Sequence, residues 1–228
     1  MAGQGRSHLL FKYMRINQKS QGKNKDIMKF QTVLFDFDGV LCKERFYQKT
    51  LRFNYPEVYD WIQTNIFGNK ELVRKWMRNQ VNSDEINKII SESIDIERSV
   101  LTKLYNESIR MMELEKEVKN LAELLKSSGY KIGIVTDNMD VFTRITVPNK
   151  RLDFLFDSVV NSADYGTLKK ENNGKLFDIA LDRLEENIEN SIMIDDSEKT
   201  IELYKQKGGY GIVYQNATEL KSLLSTML

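Results

Sequence analysis

The sequence predicts an α/β protein in which a doubly wound parallel β-sheet carries a small, inserted, all-helical domain. Two observations support this prediction. Short apolar runs alternate with helix-like segments after residue 118, which is typical of parallel strands joined by helices. The 75 residues of the range 43–117 instead have apolar side chains at helical spacing. A chain of 228 residues is long enough for one such core and one insert.

Each element is predicted from its own local pattern. Strands are expected where short apolar, β-branched runs are bounded by polar or small residues, at 31–35, 131–136, 157–160, 192–194 and 210–213. Helices are expected where apolar residues recur every three or four positions, at 118–126, 176–184 and 200–207. The predicted organisation is a basic N-terminal extension over 1–28, an α/β core over 29–42 and 118–228, and a helical insert over 43–117.

The helical insert has recognisable helix boundaries and several aromatic residues. Pro56 is placed where a helix begins, and Asn82 is placed where another is capped. Four aromatic residues either form the core of the insert, which their spacing favours, or line a substrate pocket: Phe46, Tyr47, Trp61 and Trp76. Arg45 and Arg52 either contact an anionic part of a substrate or are ordinary surface arginines.

The charge of the chain is unevenly distributed. Residues 1–29 contain seven Lys or Arg and one Asp, a net charge of +6, so the remaining residues carry −5. A basic segment of this kind could contact nucleic acid or serve as a targeting presequence. It lacks an apolar signal-peptide run and a strong arginine bias, which favours a flexible extension and disfavours nucleic acid as a partner.

Rare residue types argue against several classes of chemistry. Cys42 is the only cysteine, so no disulfide can form within the chain, and a cytoplasmic location is expected. His8 is the only histidine and lies in the extension, which argues against histidine acid–base catalysis and a histidine-rich zinc site. No apolar run is long enough to span a membrane, so no membrane partner is expected. The sequence does not indicate an oligomeric state.

The most informative segment is 33–41, where an apolar strand runs into two acids and a glycine. Asp36 ends the apolar run, Asp38 follows, and Gly39 allows the backbone to turn sharply. If the strand continued, both carboxylates would lie on one face and repel each other. A divalent cation, or a division of labour between nucleophile and acid, would explain the pair. A solvated loop with two surface aspartates is the alternative interpretation.

Two later strands end in a similar way. Thr136 closes one apolar run, and the pair Asp195 and Asp196 closes another. Because the carboxyl ends of parallel strands meet at one edge of a sheet, we expect these residues to share a cleft with Asp36 and Asp38. Each of them alone is also compatible with an ordinary strand end or helix cap. Their order and positions together favour a functional site.

In this order the segments resemble the motifs of the haloacid dehalogenase superfamily, over residues 29–228. The first motif is matched by Asp36-Phe-Asp38-Gly-Val-Leu41, the second by Thr136 after Ile132-Gly-Ile-Val, and the fourth by Asp195 and Asp196. The insert directly after the first motif resembles the C1 cap of the family, a helical domain that closes over the active site and selects the substrate.

The third motif of the family is a lysine, for which the chain offers three candidates. The family pattern points to Lys169 when it is counted forward from Gly166, and to Lys170 when it is counted back from Phe177. Lys175 fits less well. The lysine–proline pair of many relatives is replaced here by Lys169-Lys170-Glu171. The choice of lysine therefore stays open at the level of the sequence.

The resemblance implies a magnesium-dependent phosphatase that hydrolyses a small phosphorylated metabolite through an aspartyl-phosphate. Asp36 would be the nucleophile, and Asp38 would protonate the leaving group and then activate water. Mg²⁺ would be held by Asp36, the main-chain carbonyl of Asp38 and Asp196. Asp195 would act through a water molecule or as a supporting residue.

The phosphate itself would be bound by groups at the end of the second strand. The resemblance implies the hydroxyl of Thr136, the main-chain amides of Asp137 and Asn138, and the lysine of the third motif. Asp38 disfavours a dehalogenase, because the true dehalogenases lack an aspartate at that position. Two alternatives stay open: a phosphomutase, which uses the same core, and a binding or regulatory protein that keeps the fold without turnover.

Overall fold

Five strands form one parallel sheet in the computed structural model, which describes residues 30–228. They are β1 (Thr32–Phe35), β2 (Lys131–Thr136), β3 (Ser158–Asn161), β4 (Ser191–Asp195) and β5 (Tyr210–Val213). The strand order is β3-β2-β1-β4-β5, and every neighbouring pair is parallel. The predicted basic extension over 1–28 lies outside the described residues.

Helices fill the long interval that follows β1. They are α1 (Gln48–Leu51), α2 (Pro56–Ile62), α3 (Lys70–Met77), α4 (Ser83–Ile94) and α5 (Arg98–Met111). A π-helical turn, Gln63–Phe67, continues α2. Pro56 begins α2 as expected, and the side chain of Asn82 caps α4 by accepting from the amides of Asp84 and Glu85.

The remaining helices surround the sheet. They are α6 (Lys116–Ser127), α7 (Val147–Lys150), α8 (Leu152–Leu155), α9 (Ser162–Tyr165), α10 (Lys175–Leu184), α11 (Glu198–Gln206) and α12 (Ala217–Met227). The short helices α7 to α9 are absent from the prediction, because elements of four residues show no helical periodicity. Within the described part of the chain, no helix combines the length and the apolar character needed to cross a membrane.

Both faces of the sheet are covered by helices. Side chains alternate along β1, so Val33 and Phe35 belong to one apolar cluster and Leu34 belongs to the other. The first cluster includes residues of α6 and α12, and the second includes residues of α10 and α11. This arrangement confirms the predicted doubly wound sheet with inserted helices. The limits of the insert, 43–117, remain a prediction.

The topology brings the strand ends of interest to one edge. β1 is the central strand, and its neighbours are β2 and β4. Asp36 directly follows β1, while Thr136 and Asp195 are the last residues of β2 and β4. The carboxyl ends of the three strands therefore form a common edge, where open α/β sheets bind their ligands.

Candidate active site

Asp36 lies at the carboxyl end of the central strand, where a tight turn begins. Its amide donates to the carbonyl of Ile194 at 2.8 Å, and its own Oδ1 accepts from the amide of Phe37 at 2.8 Å. The turn closes where the amides of Leu41 and Cys42 both donate to the carbonyl of Phe37, each at 2.9 Å. Asp36 is only 5% exposed, so its carboxylate is held in place and largely shielded from bulk water.

Lys169 joins two of the predicted acids. Its Nζ lies 2.7 Å from Oδ2 of Asp36 and 2.6 Å from Oδ2 of Asp195. Its side chain is almost completely buried, at 5% exposure. The amide of Lys169 donates to Oδ1 of Asp137 at 2.7 Å, which fixes the loop that carries the lysine. The loop thereby directs an ammonium group between two strand ends.

The two other candidate lysines lie in solvent. Lys170 directly follows Lys169 in the sequence but is exposed. Lys175, the first residue of α10, is exposed as well. Among the described residues, neither forms an ion pair with the carboxylates that Lys169 contacts. The structure therefore brings Lys169, and neither of the other two candidates, into contact with Asp36 and Asp195. The loop buries one of two adjacent lysine side chains and exposes the other, and the catalytic role of either lysine remains a prediction.

Burial and charge together set the protonation of this group. Burial raises the pKa of Asp36 well above its usual value, and the nearby Lys169 only partly offsets the shift. Burial alone would lower the pKa of Lys169, but the carboxylates of Asp36, Asp195 and Asp137 outweigh it and raise that pKa. Lys169 therefore stays cationic at neutral pH and neutralises part of the acidic charge.

Asp36, Asp195 and Asp196 form a group that can hold a divalent cation. One carboxylate oxygen from each residue lies within 4.8 Å of those of the other two. Asp36 and Asp195 are buried, whereas Asp196 is exposed. An all-oxygen donor set suits Mg²⁺, which takes hard ligands and retains several waters. The residues therefore fit the metal that the sequence predicts.

Asp195 is held from two sides within this group. Its Oδ1 accepts from the amide of Ser197 at 2.8 Å, and its Oδ2 accepts from Nζ of Lys169 at 2.6 Å. A carboxylate with both oxygens engaged suits the supporting role that the sequence implies for Asp195. The role itself remains a prediction.

Asp38 is not one of the three carboxylates of this group, although Lys169 and Asp196 act on it through their charges. Its Oδ2 accepts from Nδ2 of Asn138 at 3.2 Å. Burial raises the pKa of Asp38 to about 6, although the positive charge of Arg45 opposes the shift. A carboxyl group with that pKa can carry a proton near neutral pH and can also release it.

Asn138 donates hydrogen bonds through its side chain and through its main-chain amide. Its amide donates to Oγ of Ser162 at 3.0 Å, and the hydrogen bond from this amide to a phosphate remains a prediction. The same Ser162 hydroxyl donates to the carbonyl of Met77 at 2.7 Å. The amide of Asn138 is therefore used to join the end of β2 to the insert.

Thr136 presents a buried hydroxyl without a partner. The residue is 0% exposed, and its Oγ1 has no hydrogen-bond partner among the described residues. A ligand oxygen at the end of β2 would satisfy this hydroxyl, and unpaired buried polar atoms are uncommon in native proteins. The neighbouring Asp137 is half-buried and holds the loop of Lys169 through its side chain.

The insert is fastened over this edge by polar contacts. Oδ1 of Asp140 accepts from Nε1 of Trp76 at 3.1 Å and from the amide of Ser83 at 2.9 Å. Nε of Arg78 donates to Oε2 of Glu171 at 3.0 Å, and this hydrogen bond lowers the pKa of Glu171 to about 2. Glu171 belongs to the same loop as Lys169, so α3 and that loop are tied together.

A cavity of about 230 Å³ lies between the insert and Asp38. Its lining consists of Asp38, Glu44, Arg45, Phe46, Gln63, Phe67, Val73, Met77 and Met139. Phe46 therefore lines a pocket, and it also packs against Tyr105, as Tyr47 and Trp76 do in the core of the insert. Gln63 is missing from the predicted residues, because a polar residue within a helical pattern normally faces solvent.

Gly39→Ala is expected to distort the acidic group. Gly39 has a φ of +83°, and a Cβ at this position would lie 2.2 Å from Oδ2 of Asp196. The substitution therefore combines backbone strain with displacement of a carboxylate. We expect the free energy of unfolding to fall by about 1 to 3 kcal/mol. The affinity for Mg²⁺, measured by titration calorimetry, is expected to fall as well.

Gly129→Ala is the matched control for this prediction. Gly129 has a φ of +93°, and no atom lies within 4 Å of a Cβ built there, so the variant reports backbone strain alone. Only Gly39→Ala should weaken Mg²⁺ binding. An equal effect of both variants on Mg²⁺ affinity would contradict the proposed contact with Asp196.

Several solved structures share the fold of this chain. A HAD family enzyme from Bacteroides thetaiotaomicron, in complex with magnesium and inorganic phosphate, is 15% identical, with 84% of this chain and 98% of that chain covered and a TM-score of 0.61. A HAD phosphatase from Thermococcus onnurineus is 21% identical, with coverages of 86% and 98% and a TM-score of 0.56. A dehalogenase is 17% identical, with coverages of 87% and 99% and a TM-score of 0.64. At these identities the likeness shows the fold alone.

Sequence comparison identifies the family. No curated protein matches the chain. The family model for haloacid dehalogenase-like hydrolases matches residues 30–206, which is most of the chain and includes every strand end described above except that of β5. The chain belongs to the haloacid dehalogenase-like hydrolases.

Proposed function

We propose that this hydrolase is a magnesium-dependent phosphatase that cleaves a small phosphate monoester through an aspartyl-phosphate on Asp36. One observation carries the proposal: two acids from the same strand end lie in different environments. Asp36 is paired with Lys169 within the acidic group, whereas Asp38 is outside the three grouped carboxylates and accepts a hydrogen bond from Asn138. One carboxylate is thus placed for attack and the other for proton transfer.

The presence of Asp38 favours a phosphate ester over a carbon–halogen bond as the substrate. A halide leaves as a stable anion and needs no proton, whereas an alkoxide leaving from phosphorus is strongly basic and has to be protonated. With a pKa of about 6, Asp38 can supply that proton near neutral pH. Structural neighbours include a dehalogenase and a phosphatase, so the choice rests on the residues of this chain.

The proposed reaction has two steps. First, a carboxylate oxygen of Asp36 attacks phosphorus, the bond between phosphorus and the ester oxygen breaks, and Asp38 transfers its proton to that oxygen. Next, Asp38 accepts a proton from water as the water oxygen attacks phosphorus. The bond to Asp36 then breaks, which releases inorganic phosphate and restores both side chains.

The phosphoryl group would be held by charge and by one hydroxyl. Lys169 stays cationic and faces the carboxylate that attacks, and the unpaired hydroxyl of Thr136 can donate to a phosphate oxygen. The main-chain amides of Asp137 and Asn138 are further proposed donors. When bound to Asp36, Asp196 and the main-chain carbonyl of Asp38, Mg²⁺ supplies additional neutralisation, and Asp195 supports the site.

The size of the substrate and the location of the protein are also proposed from residues of this chain. The substrate is proposed to be a small phosphorylated metabolite, because the cavity beside Asp38 has a volume of only about 230 Å³. The cytoplasm is the proposed location, since the single cysteine, Cys42, is a buried free thiol.

Removal of metal ions with EDTA is expected to abolish phosphate release, and addition of Mg²⁺ is expected to restore it. Three carboxylates outweigh one ammonium group at the site, so a phosphate dianion is repelled until a cation binds. Release of inorganic phosphate is measured with a set of substrates. They are nucleotides and the phosphate esters of sugars, small acids and arylmethyl alcohols. We expect rates to differ at least about 100-fold between the two conditions.

The outcomes of this assay separate the remaining functions. Hydrolysis that is unaffected by removal of metal ions would contradict the proposal. No release from any ester by the folded, Mg²⁺-loaded protein would instead favour a phosphomutase or a non-catalytic binding protein. A requirement for a bisphosphate activator would distinguish those two.

A further inference from the structure

The cavity beside Asp38 is the place for the leaving group of the substrate. Because Asp38 is proposed to protonate the ester oxygen, the group attached to that oxygen has to extend into the adjoining space of about 230 Å³. Most of its walls are apolar and come from Phe46, Phe67, Val73, Met77 and Met139. These walls favour a leaving group with an apolar body.

Gln63 is one of the residues that line the cavity. Its Nε2 is buried without a hydrogen-bond partner among the described residues. A buried amide nitrogen without an acceptor is costly, so a ligand that brings an acceptor gains a favourable interaction. The cavity therefore selects for one acceptor within an otherwise apolar group.

The backbone around Gln63 is π-helical. Gln63 and Phe67 are the first and last residues of the π-helical turn that continues α2. The amide of Gly68 donates to the carbonyl of Gln63 at 2.8 Å, five residues back, which is the π-helical hydrogen bond. Short π-helical segments occur frequently at functional sites, and both ends of this one line the cavity.

The other polar side chains of the lining are Asp38, Glu44 and Arg45. Glu44 forms an ion pair with Lys49 at 2.7 Å and accepts from the amide of Glu113 at 3.0 Å. Asp38 is assigned to proton transfer, and the exposed Arg45 acts on Asp38 through its positive charge. Gln63 is the lining residue that has a buried side-chain donor without a hydrogen-bond partner among the described residues.

We propose that the substrate is the phosphate monoester of a compact, ring-sized, apolar alcohol with one hydrogen-bond acceptor, which pairs with Nε2 of Gln63. This inference rests on the proposed phosphatase function. A sugar bound against apolar walls would lose the hydrogen bonds that several of its hydroxyls form with water. It would regain only one hydrogen bond, with Gln63. An engineered cavity of about 150 Å³ holds benzene, so about 230 Å³ accommodates one substituted ring.

Benzyl phosphate and the three isomeric pyridylmethyl phosphates test the proposal. Each pyridylmethyl ester replaces one ring CH by an acceptor nitrogen at almost constant size, and the three isomers sample the directions from which Gln63 can donate. Near neutral pH, where the pyridine nitrogen is mostly unprotonated and Asp38 can still supply a proton, we expect the best isomer to exceed benzyl phosphate about tenfold in kcat/KM. Glucose 6-phosphate and AMP are expected to fall below benzyl phosphate.

Gln63→Leu removes the donor at similar side-chain size and is expected to reduce this tenfold ratio to about one. Gln80→Leu is the matched control, because Gln80 is exposed and outside the cavity, and it should retain the full ratio. A ratio that is unchanged by Gln63→Leu would overturn the proposal. A preference of the wild-type enzyme for the sugar phosphate or the nucleotide would overturn it as well.

Acetyl phosphate distinguishes failure of this inference from failure of the phosphatase function. Its leaving group is too small to fill the cavity and needs no recognition there. Hydrolysis of acetyl phosphate without discrimination among the ring esters would overturn the substrate class alone. No hydrolysis of acetyl phosphate or of any ester would count against the phosphatase itself, and the substrate class would fall with it.

Discussion

Lys169→Met is expected to lower the free energy of unfolding in EDTA by about 3 to 5 kcal/mol and to slow phosphate release about 100- to 1,000-fold. Nζ of Lys169 lies 2.7 Å from Asp36 and 2.6 Å from Asp195, and all three side chains are almost fully buried. Methionine is similar in length but carries no charge. Two adjacent carboxylates therefore lose their counter-ion where water cannot replace it, and the phosphoryl group loses a fixed cation.

The two effects are measured separately, by urea unfolding and by initial rates. Because the substitution removes positive charge beside Asp36 and Asp195, Mg²⁺ held by Asp36, Asp196 and the main-chain carbonyl of Asp38 should add more stability to the variant than to the wild type. Activity should stay low in both conditions. This combination distinguishes a catalytic cation from one that serves stability alone.

Lys170→Met is the matched control for Lys169→Met. Lys170 is exposed, so its replacement is expected to change the free energy of unfolding by less than about 0.5 kcal/mol and to leave the rate near that of the wild type. Equal stability of Lys169→Met and the wild type in EDTA would contradict the buried ion pair. Equal activity of the two lysine variants would contradict the role of Lys169 in the reaction.

The strands and the acids could be predicted because their signals are local. A strand buried on both faces is a short continuous apolar run, and the runs of β1 and β4 end directly at Asp36 and at Asp195. Their meeting at one edge then follows from parallel topology alone. The acidic group could therefore be predicted almost completely from the sequence.

The lysine could not be chosen from the sequence because its environment is non-local. Lys169 and Lys170 are the same residue type at adjacent positions, and the contacts of Lys169 with Asp137 and Asp195 decide which one is buried. The amide of Asn138 shows the same limit, since its partner Ser162 belongs to the start of α9. Such choices depend on how separate elements pack together.

The cavity could not be predicted from the sequence, for a different reason. Helical spacing marks the apolar face of a helix, but it does not separate core residues such as Trp76 from cavity residues such as Phe67. The π-helical turn changes which side chains share that face, and it has no clear sequence signature. Gln63 therefore lines the cavity although its type indicates a solvent position.

Asp36→Asn is expected to reduce phosphate release at least about 10,000-fold while preserving the fold. The amide oxygen of asparagine can still accept from the amide of Phe37, and Lys169 keeps Asp195 as a partner at 2.6 Å. The tight turn and the remaining ion pair should therefore persist. The carboxamide is a poor nucleophile, so the aspartyl-phosphate does not form. Initial rates are measured together with acid-stable phosphate on the protein after rapid quenching.

Asp60→Asn makes the same chemical change at an exposed position of α2 and should leave the rate unaltered. Activity of Asp36→Asn that increases with storage would indicate deamidation back to aspartate, which mass spectrometry detects. Constant activity above about 1% of the wild-type rate would mean that no covalent bond to residue 36 is required. Direct attack by water, with Asp38 as the base, would then replace the two-step reaction, and the cavity beside Asp38 would still receive the leaving group.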